Sequence, residues 1–294
     1  MTSLQAWKTA ARVHTLPAAV VPVLVGAGLA AGDEAFRWDA FSWAFLGAIA
    51  IQVAANFAND VSDARRGADT PERVGPPRMV AEGRISAAQM WRGVGLALLV
   101  AAGAGIALTI IAGPLILIVG ALSVVAMLGY VGGPVPYGYR GLGEVFVFVF
   151  FGLAATAGSR FVHDMSVPRD AWLLAIPVGT LASAILVANN YRDIETDRGA
   201  GKRTLAVMLG RERTKDLFAT LVYGSIALIA LFGAVGVTPR ATMFAGFLLP
   251  FATAPVRIIR SKTEGPALVK ALKLTAILHL WTGLALAAGS AVTL

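Results

Sequence analysis

The chain predicts an all-α integral membrane protein, about nine transmembrane helices around a central cavity with the N-terminus cytoplasmic. Three observations carry that prediction. Of 294 residues, 57% are hydrophobic and only 14% charged, whereas a soluble domain carries about 25% charged and under about 50% apolar residues. Nine stretches approach the ~20 apolar residues needed to cross a hydrocarbon core about 30 Å thick. When those nine are threaded from a cytoplasmic N-terminus, 21 of the 25 Lys and Arg fall on the cytoplasmic side, the bias expected of inward loops.

In order, the spans are expected near residues 15–32, 39–58, 92–112, 114–131, 144–160, 171–190, 216–237, 241–258 and 272–292. Lys8 and Arg12 precede the first. With Leu29-Ala30-Ala31-Gly32 at its end it imitates a signal peptide, but eight further spans behind it favour an uncleaved helix. The third and fourth are separated by the breaker pair Gly113-Pro114 and read as a tight hairpin. Phe146, Phe148, Phe150 and Phe151 crowd the fifth, a wall suited to lipid, to the core or to an isoprenoid tail. Glycines inside spans, such as Gly93, Gly95, Gly103 and Gly105, let helices approach closely. Only Arg37, Arg160, Arg169 and Arg240 fall outside the cytoplasmic side. The whole of 1–294 reads as one transmembrane domain in the cell inner (cytoplasmic) membrane.

Several chemistries are excluded at once. Without Cys there is no thiolate metal site and no Cys nucleophile. The net charge of +8 is used by loop orientation and calls for no nucleic acid. His14, His163 (expected in an outward loop) and His279 share no spacing that implies a metal or a triad.

Ionisable residues gather at two places on one membrane face. At the end of the second span stands Asn56-Phe-Ala-Asn59-Asp60-Val-Ser-Asp63, and at the end of the sixth Asn189-Asn190-Tyr-Arg192-Asp193-Ile-Glu195-Thr-Asp197. Asn56, Asn59 or Asp60, and Asp63 share one helical face, as do Asn189, Asp193 and Asp197. Each cluster is followed by a Gly-Ala step, a Thr and then Gly-Arg, which suggests two parallel halves with sites facing across a cavity. Four unpaired carboxylates within a membrane would cost on the order of 10 kcal/mol, so they border water or bind cations.

Solvated helix ends paired with Arg65, Arg66, Arg192 and Arg198 would be the plain explanation of either cluster alone. Two matched clusters favour a shared ligand. Asp and Asn oxygens without His or Cys select Mg²⁺ or Mn²⁺, and Mg²⁺ is commonly completed by substrate phosphates. Among the flanking basic residues Arg65, Arg66, Arg73, Arg78, Lys202 and Arg203, the contacts expected on a diphosphate are Arg73, Arg78 and Lys202. The turn-rich loop from Tyr130 to Glu144 offers Tyr130 and Tyr139 to a cationic or aromatic substrate.

These residues resemble a known family. Asn59-Asp60-x-x-Asp63 and Asp193-x-x-x-Asp197 are similar to the two aspartate-rich motifs of the UbiA superfamily of intramembrane prenyltransferases, a nine-helix fold. Within it, the runs at 56–60, 72–78, 141–144, 189–198 and 201–207 look like the members acting on 1,4-dihydroxy-2-naphthoate. Two departures are Val13-His14, where Pro and a basic residue are common, and Val131, where Thr is usual.

The resemblance implies transfer of a polyprenyl group from its diphosphate to 1,4-dihydroxy-2-naphthoate with loss of carbon dioxide, giving demethylmenaquinone for menaquinone biosynthesis. Mg²⁺ would be held through Asn56, Asp60, Asp63, Asp193 and Asp197, with Asp60, Asp63, Asp193 and Asp197 as the catalytic set. Asn56, Asn59, Arg73, Arg78, Tyr130, Tyr139, Asn189, Asn190 and Lys202 would contact substrate. Leaving carbon dioxide restores aromaticity without an obvious general base, although an Asp could deprotonate the hydroxyl. Alternatives are another acceptor, such as 4-hydroxybenzoate or homogentisate, or a secondary transporter, whose sites usually lie nearer the midplane.

Overall fold

In a computed structural model the described residues are 3–67, 75–132, 136–263 and 265–292, and they contain helices and no strands. The helices are α1 (Ser3–Ala11), α2 (Pro17–Gly32), α3 (Trp38–Arg65), α4 (Ala87–Ala112), α5 (Leu115–Val131), α6 (Gly143–Val147), α7 (Ala155–Asp164), α8 (Arg169–Arg192), α9 (Ile194–Gly199), α10 (Leu205–Ala234), α11 (Leu249–Ser261) and α12 (Pro266–Ala291). A π-helical segment, Phe148–Ala154, joins α6 to α7, so 143–164 runs as one rod. A 3₁₀ stretch, Arg240–Leu248, leads into α11.

Local chemistry sets these boundaries. Ser86 and Gln89 form a reciprocal capping box at the start of α4, and Thr204 caps α10 through the Val207 amide. Gly113, at φ 83°, ends α4, and Pro114 opens the hairpin into α5. A helix pairs most of its own carbonyls and amides, which is what it offers a chain in lipid.

All nine expected spans fall on helices, yet length and apolarity qualify seven of the described helices as spans, or eight when the bent pair Ser3–Thr15 and Pro17–Gly32 is counted as one. The seventeen-residue α5 is the short one. At 1.5 Å per residue it reaches about 25 Å, less than the ~30 Å core. Helical structure before the seventh span begins at Leu205, and Gly210, at φ 75° and ψ 174°, breaks it with a kink, so the long rod of that span runs from after Gly210 to Ala234. His163 is not in a loop. It lies in the last turn of α7, buried, stacked on Phe36 at 5.3 Å and accepting from the Arg37 amide at 3.0 Å.

Small residues bring the rods together. A Cβ on Gly28 would meet the Ala287 backbone at 2.3 Å, and one on Gly152 would sit 2.5 Å from Gly179 Cα. At the end away from the acidic motifs, buried Arg160 pairs with Asp33 and Asp164, both at 2.6 Å. The C-terminal ends of α2 and α7 are thereby fixed to each other at one face, and the other face is left to the polar clusters.

A deep cavity of about 380 Å³ lies between α2, α3, α4, α5, the 143–164 rod and α8. Along α3 it reaches from Asp63 to Ala44, about 28 Å at 1.5 Å per residue. The rod contributes Phe146, Phe150, Ala154, Gly158 and Val162 to its wall. Steps of four would drift about 40° each around a regular α-helix, about 160° over the stripe. The wider π turn in mid-rod keeps those side chains on the cavity side.

Candidate active site

The polar end of the cavity is built by three elements. The last two turns of α3 supply Asn59 and Asp63, the α8–α9 junction supplies Asn189, Asn190, Asp193 and Asp197, and the loop 200–204 supplies Lys202. Four-residue spacing puts each motif on one helical face, and packing of α3 opposite α8 turns those faces toward one another. The Arg203 amide donates to the Tyr139 carbonyl at 3.0 Å and ties the Lys202 loop to the 3₁₀ turn Tyr137–Arg140.

Asp63 is the centre of the arrangement. Its carboxylate accepts from Lys202 Nζ at 2.8 Å, from Arg78 Nη2 at 2.9 Å and from the Tyr139 hydroxyl at 2.9 Å. Lys202 Nζ also lies 3.9 Å from Asp197 Oδ1, so a single ammonium bridges the two motifs. Asp193 accepts from Arg192 Nε and Nη2 at 2.7 and 2.5 Å. Burial, then the neighbouring Asp63 carboxylate, hold the Tyr139 phenol well above its ordinary pKa of 10, so it remains a proton donor to Asp63.

Adjacent Asn59 and Asp60 point different ways. Asn59 lines the cavity, and its buried Oδ1 has no hydrogen-bond partner. Asp60 does not line it: the side chain turns to the loop after α3, accepting from the Val80 amide at 2.9 Å and the Met79 amide at 3.2 Å. That grip fixes the backbone beside Arg78, which reaches Asp63. Asn56 lines the cavity but donates to the Ala11 carbonyl and Thr15 Oγ1, while its Oδ1 accepts from Gln52. It clamps the bend between α1 and α2.

The remaining expected residues divide in the same way. Asn189 Oδ1 accepts from Arg192 Nη2 at 3.0 Å, and Asn190 Nδ2 donates to Glu144 Oε1 at 2.9 Å. Tyr130 lines the cavity edge-on to Tyr137, which stacks on Phe146 with centroids 3.8 Å apart. The Tyr139 ring already faces two cations of the chain itself, Lys202 at 4.8 Å and Arg66 at 5.2 Å. Arg73 lies outside the described residues.

Sequence reasoning missed Glu144 as part of the site and Arg12 as a lining residue, and it named Arg192 only as an ion-pair partner, which it is for Asp193. Glu144, the only acid at the start of a span in the turn-rich loop, carried a readable signal; Arg12 did not.

Among the described residues no three acidic or histidine side chains converge closely enough to cage a metal unaided. The donor chemistry nonetheless fits a hard cation that arrives with phosphate oxygens: Asn59 Oδ1 is an orphaned buried acceptor beside Asp63, and Asp193 and Asp197 stand across the cavity. Beyond this cap the wall is apolar, with Ile51, Leu108, Val119, Phe150 and Phe151 among its members.

Comparison with known proteins agrees with this fold. The UbiA prenyltransferase family model matches residues 19–282. The 1,4-dihydroxy-2-naphthoate octaprenyltransferase of Mycobacterium leprae is 37% identical over 100% of this chain and 98% of its own. The Escherichia coli protein of the same name is 37% identical over 78% of this chain and 76% of its own. A UbiA homolog from Aeropyrum pernix has the same fold, with a TM-score of 0.73 at 13% identity over 93% of this chain and 97% of that one. One from Archaeoglobus fulgidus, bound to GPP and Mg²⁺, gives 0.68 at 15% identity over 96% and 99%. With its two facing acidic motifs, its long apolar cavity and a family match spanning most of its length, this multi-pass membrane chain belongs to the UbiA prenyltransferase family.

Proposed function

We propose that the chain is a single-domain enzyme of the cell inner membrane that transfers a polyprenyl group from its diphosphate to 1,4-dihydroxy-2-naphthoate with loss of carbon dioxide, giving demethylmenaquinone. The observation that carries this reading is the Lys202 ammonium between Asp63 and Asp197 at the mouth of an apolar cavity. Cations and carboxylates are balanced there in a way that a metal-bound diphosphate would exchange with. The acceptor is supported by the names of the relatives in Mycobacterium leprae and Escherichia coli.

Asn59, Asp63, Asp193 and Asp197 would hold Mg²⁺, which would supply charge neutralisation of the departing diphosphate. Lys202 and Arg78 turn from Asp63 to the phosphate oxygens that the carboxylates leave free, and the Asn189 Nδ2 group adds a neutral donor. Asp60 acts by holding the Arg78 loop, and Asn56 by holding the bend before α2. Neither is assigned to the metal.

The prenyl tail lies along the stripe Phe146 to Val162, and the reacting allylic end sits among Tyr130, Tyr137 and Phe146. Ring faces there favour positive charge. The apolar walls exclude water, which would otherwise capture the allylic cation as an alcohol. Ring carbon attack forms the new C–C bond as the C–O bond to diphosphate breaks. The electron pair of the C–carboxylate bond returns to the ring as carbon dioxide leaves, so no side chain need remove a ring proton.

Purified protein in liposomes, given an all-trans farnesyl or longer diphosphate with each of 1,4-dihydroxy-2-naphthoate, 4-hydroxybenzoate and homogentisate, tests the reading. Mass spectrometry should find prenylated, decarboxylated product from the naphthoate. Turnover of another acceptor alone would refute it.

A further inference from the structure

The two neighbouring amides at the end of α8 are held in opposite senses. Arg192 is a pure donor, so its contact at 3.0 Å is with the oxygen of Asn189, and the Asn189 Nδ2 group is left for the cavity. Glu144 is an acceptor, so its contact at 2.9 Å is with the nitrogen of Asn190, and the Asn190 Oδ1 atom is left for the cavity. Both asparagines line that cavity.

Glu144 does not line the cavity itself. It is 7% exposed, its Oε2 is buried without a hydrogen-bond partner, and its carbonyl accepts from Ser183 Oγ at 3.0 Å. A carboxylate placed in a membrane span at such cost, with one oxygen committed to one amide, fixes the direction of that amide. Tyr130, whose hydroxyl would lie 3.6 Å from a Cβ on the adjacent Gly143, stands on the same side, edge-on to Tyr137, which stacks on Phe146.

We infer that Glu144 is a positioning residue that locks Asn190 with its carbonyl oxygen toward the cavity, where it accepts a hydrogen bond from a ring hydroxyl of the aromatic acceptor. Asn189, locked the other way, offers its N–H to the anionic diphosphate. The pair thereby sorts the two substrates by polarity: the donor amide takes the anion and the acceptor amide takes the phenol. This rests on the proposed acceptor being a hydroxylated aromatic ring.

The test uses the full-length protein in liposomes and reads the two KM values separately. Glu144→Met removes the acceptor facing Asn190 at similar size, and the KM for the hydroxy-aromatic substrate should rise about tenfold or more while that for polyprenyl diphosphate stays within about twofold. Glu144→Gln keeps an oxygen for the Asn190 Nδ2 group and should restore most of the affinity. Unchanged KM values in Glu144→Met, or a parallel rise in both, would overturn the assignment.

A second measurement needs no variant. Wild-type protein should discriminate by about 100-fold or more in kcat/KM against a naphthoate lacking one ring hydroxyl, because a site built to pair a hydroxyl rejects its absence. Equal use of hydroxylated and deoxy acceptors at both ring positions would overturn it. If the wild type prenylates 4-hydroxybenzoate and not the naphthoate, the functional reading fails, and the KM split is read on that phenol instead.

Discussion

Lys202 donates to Asp63 at 2.8 Å across 139 residues of chain. The two motifs are thus closed on each other by an ion pair that, in the proposed reaction, a diphosphate would open. Both side chains are nearly out of solvent, 12% and 4% exposed, so each is expensive to leave without a partner. Substrate entry therefore replaces one set of charge partners with another.

Lys202→Met should raise the KM for polyprenyl diphosphate about tenfold to about 100-fold, the range of one charge-assisted hydrogen bond at about 1.5–3 kcal/mol. The acceptor KM should stay near wild type. Steady-state kinetics in liposomes reads both, and equal effects on the two would contradict the exchange.

Asp60 and Asp63 sit three positions apart and should respond differently to amidation. Asp63→Asn is expected to abolish turnover in a folded, inserted protein. Asp60→Asn turns an amide against the Met79 and Val80 N–H groups and should cost about 1–3 kcal/mol of stability, with residual activity and a raised diphosphate KM. Thermal unfolding in detergent beside single-turnover assays separates the two. Loss of activity in Asp60→Asn at wild-type stability and diphosphate affinity would return Asp60 to the reacting centre.

Chelation should silence the enzyme. EDTA is expected to remove activity and added Mg²⁺ to restore it, and Asp193→Asn should weaken that recovery. Full turnover in chelator would eliminate the metal.

The raised phenol of Tyr139 gives a sign-definite pH effect. Below pH 10 the proton is present in both folded and unfolded chains and the hydrogen bond to Asp63 contributes fully. Above pH 10 the unfolded chain releases the proton that the folded chain keeps, so stability declines with rising pH. Tyr139→Phe should lose several-fold in activity at neutral pH and show a shallower loss of stability above pH 10. An unchanged alkaline slope in unfolding curves would contradict this.

Much of the site was legible because i, i+4 spacing is a local rule. Asp63, Asp193, Asp197 and Lys202 meet at the cavity as their spacing and the family resemblance implied. The choice between Asn59 and Asp60 was not legible. Neighbours on a helix point about 100° apart, and either satisfies the spacing to Asn56 and Asp63. In this structure the amides of Met79 and Val80 bind Asp60, and Asn59 is the neighbour that lines the cavity. Glu144 and Asn190 are likewise 46 positions apart, and nothing local pairs them. Span positions followed from apolar runs, while the shortness of α5 and the break in α10 at Gly210 depended on single glycines.

The π turn in the 143–164 rod works like a vernier. A greasy track whose marks fall every four residues cannot stay in phase with a helix of 3.6 residues per turn, and one widened turn resets the count. Deleting a single residue between Phe148 and Ala154 should therefore rotate Gly158 and Val162 out of the track while leaving the acidic end untouched. Such a protein would still grip diphosphate but would handle short isoprenoids better than long ones.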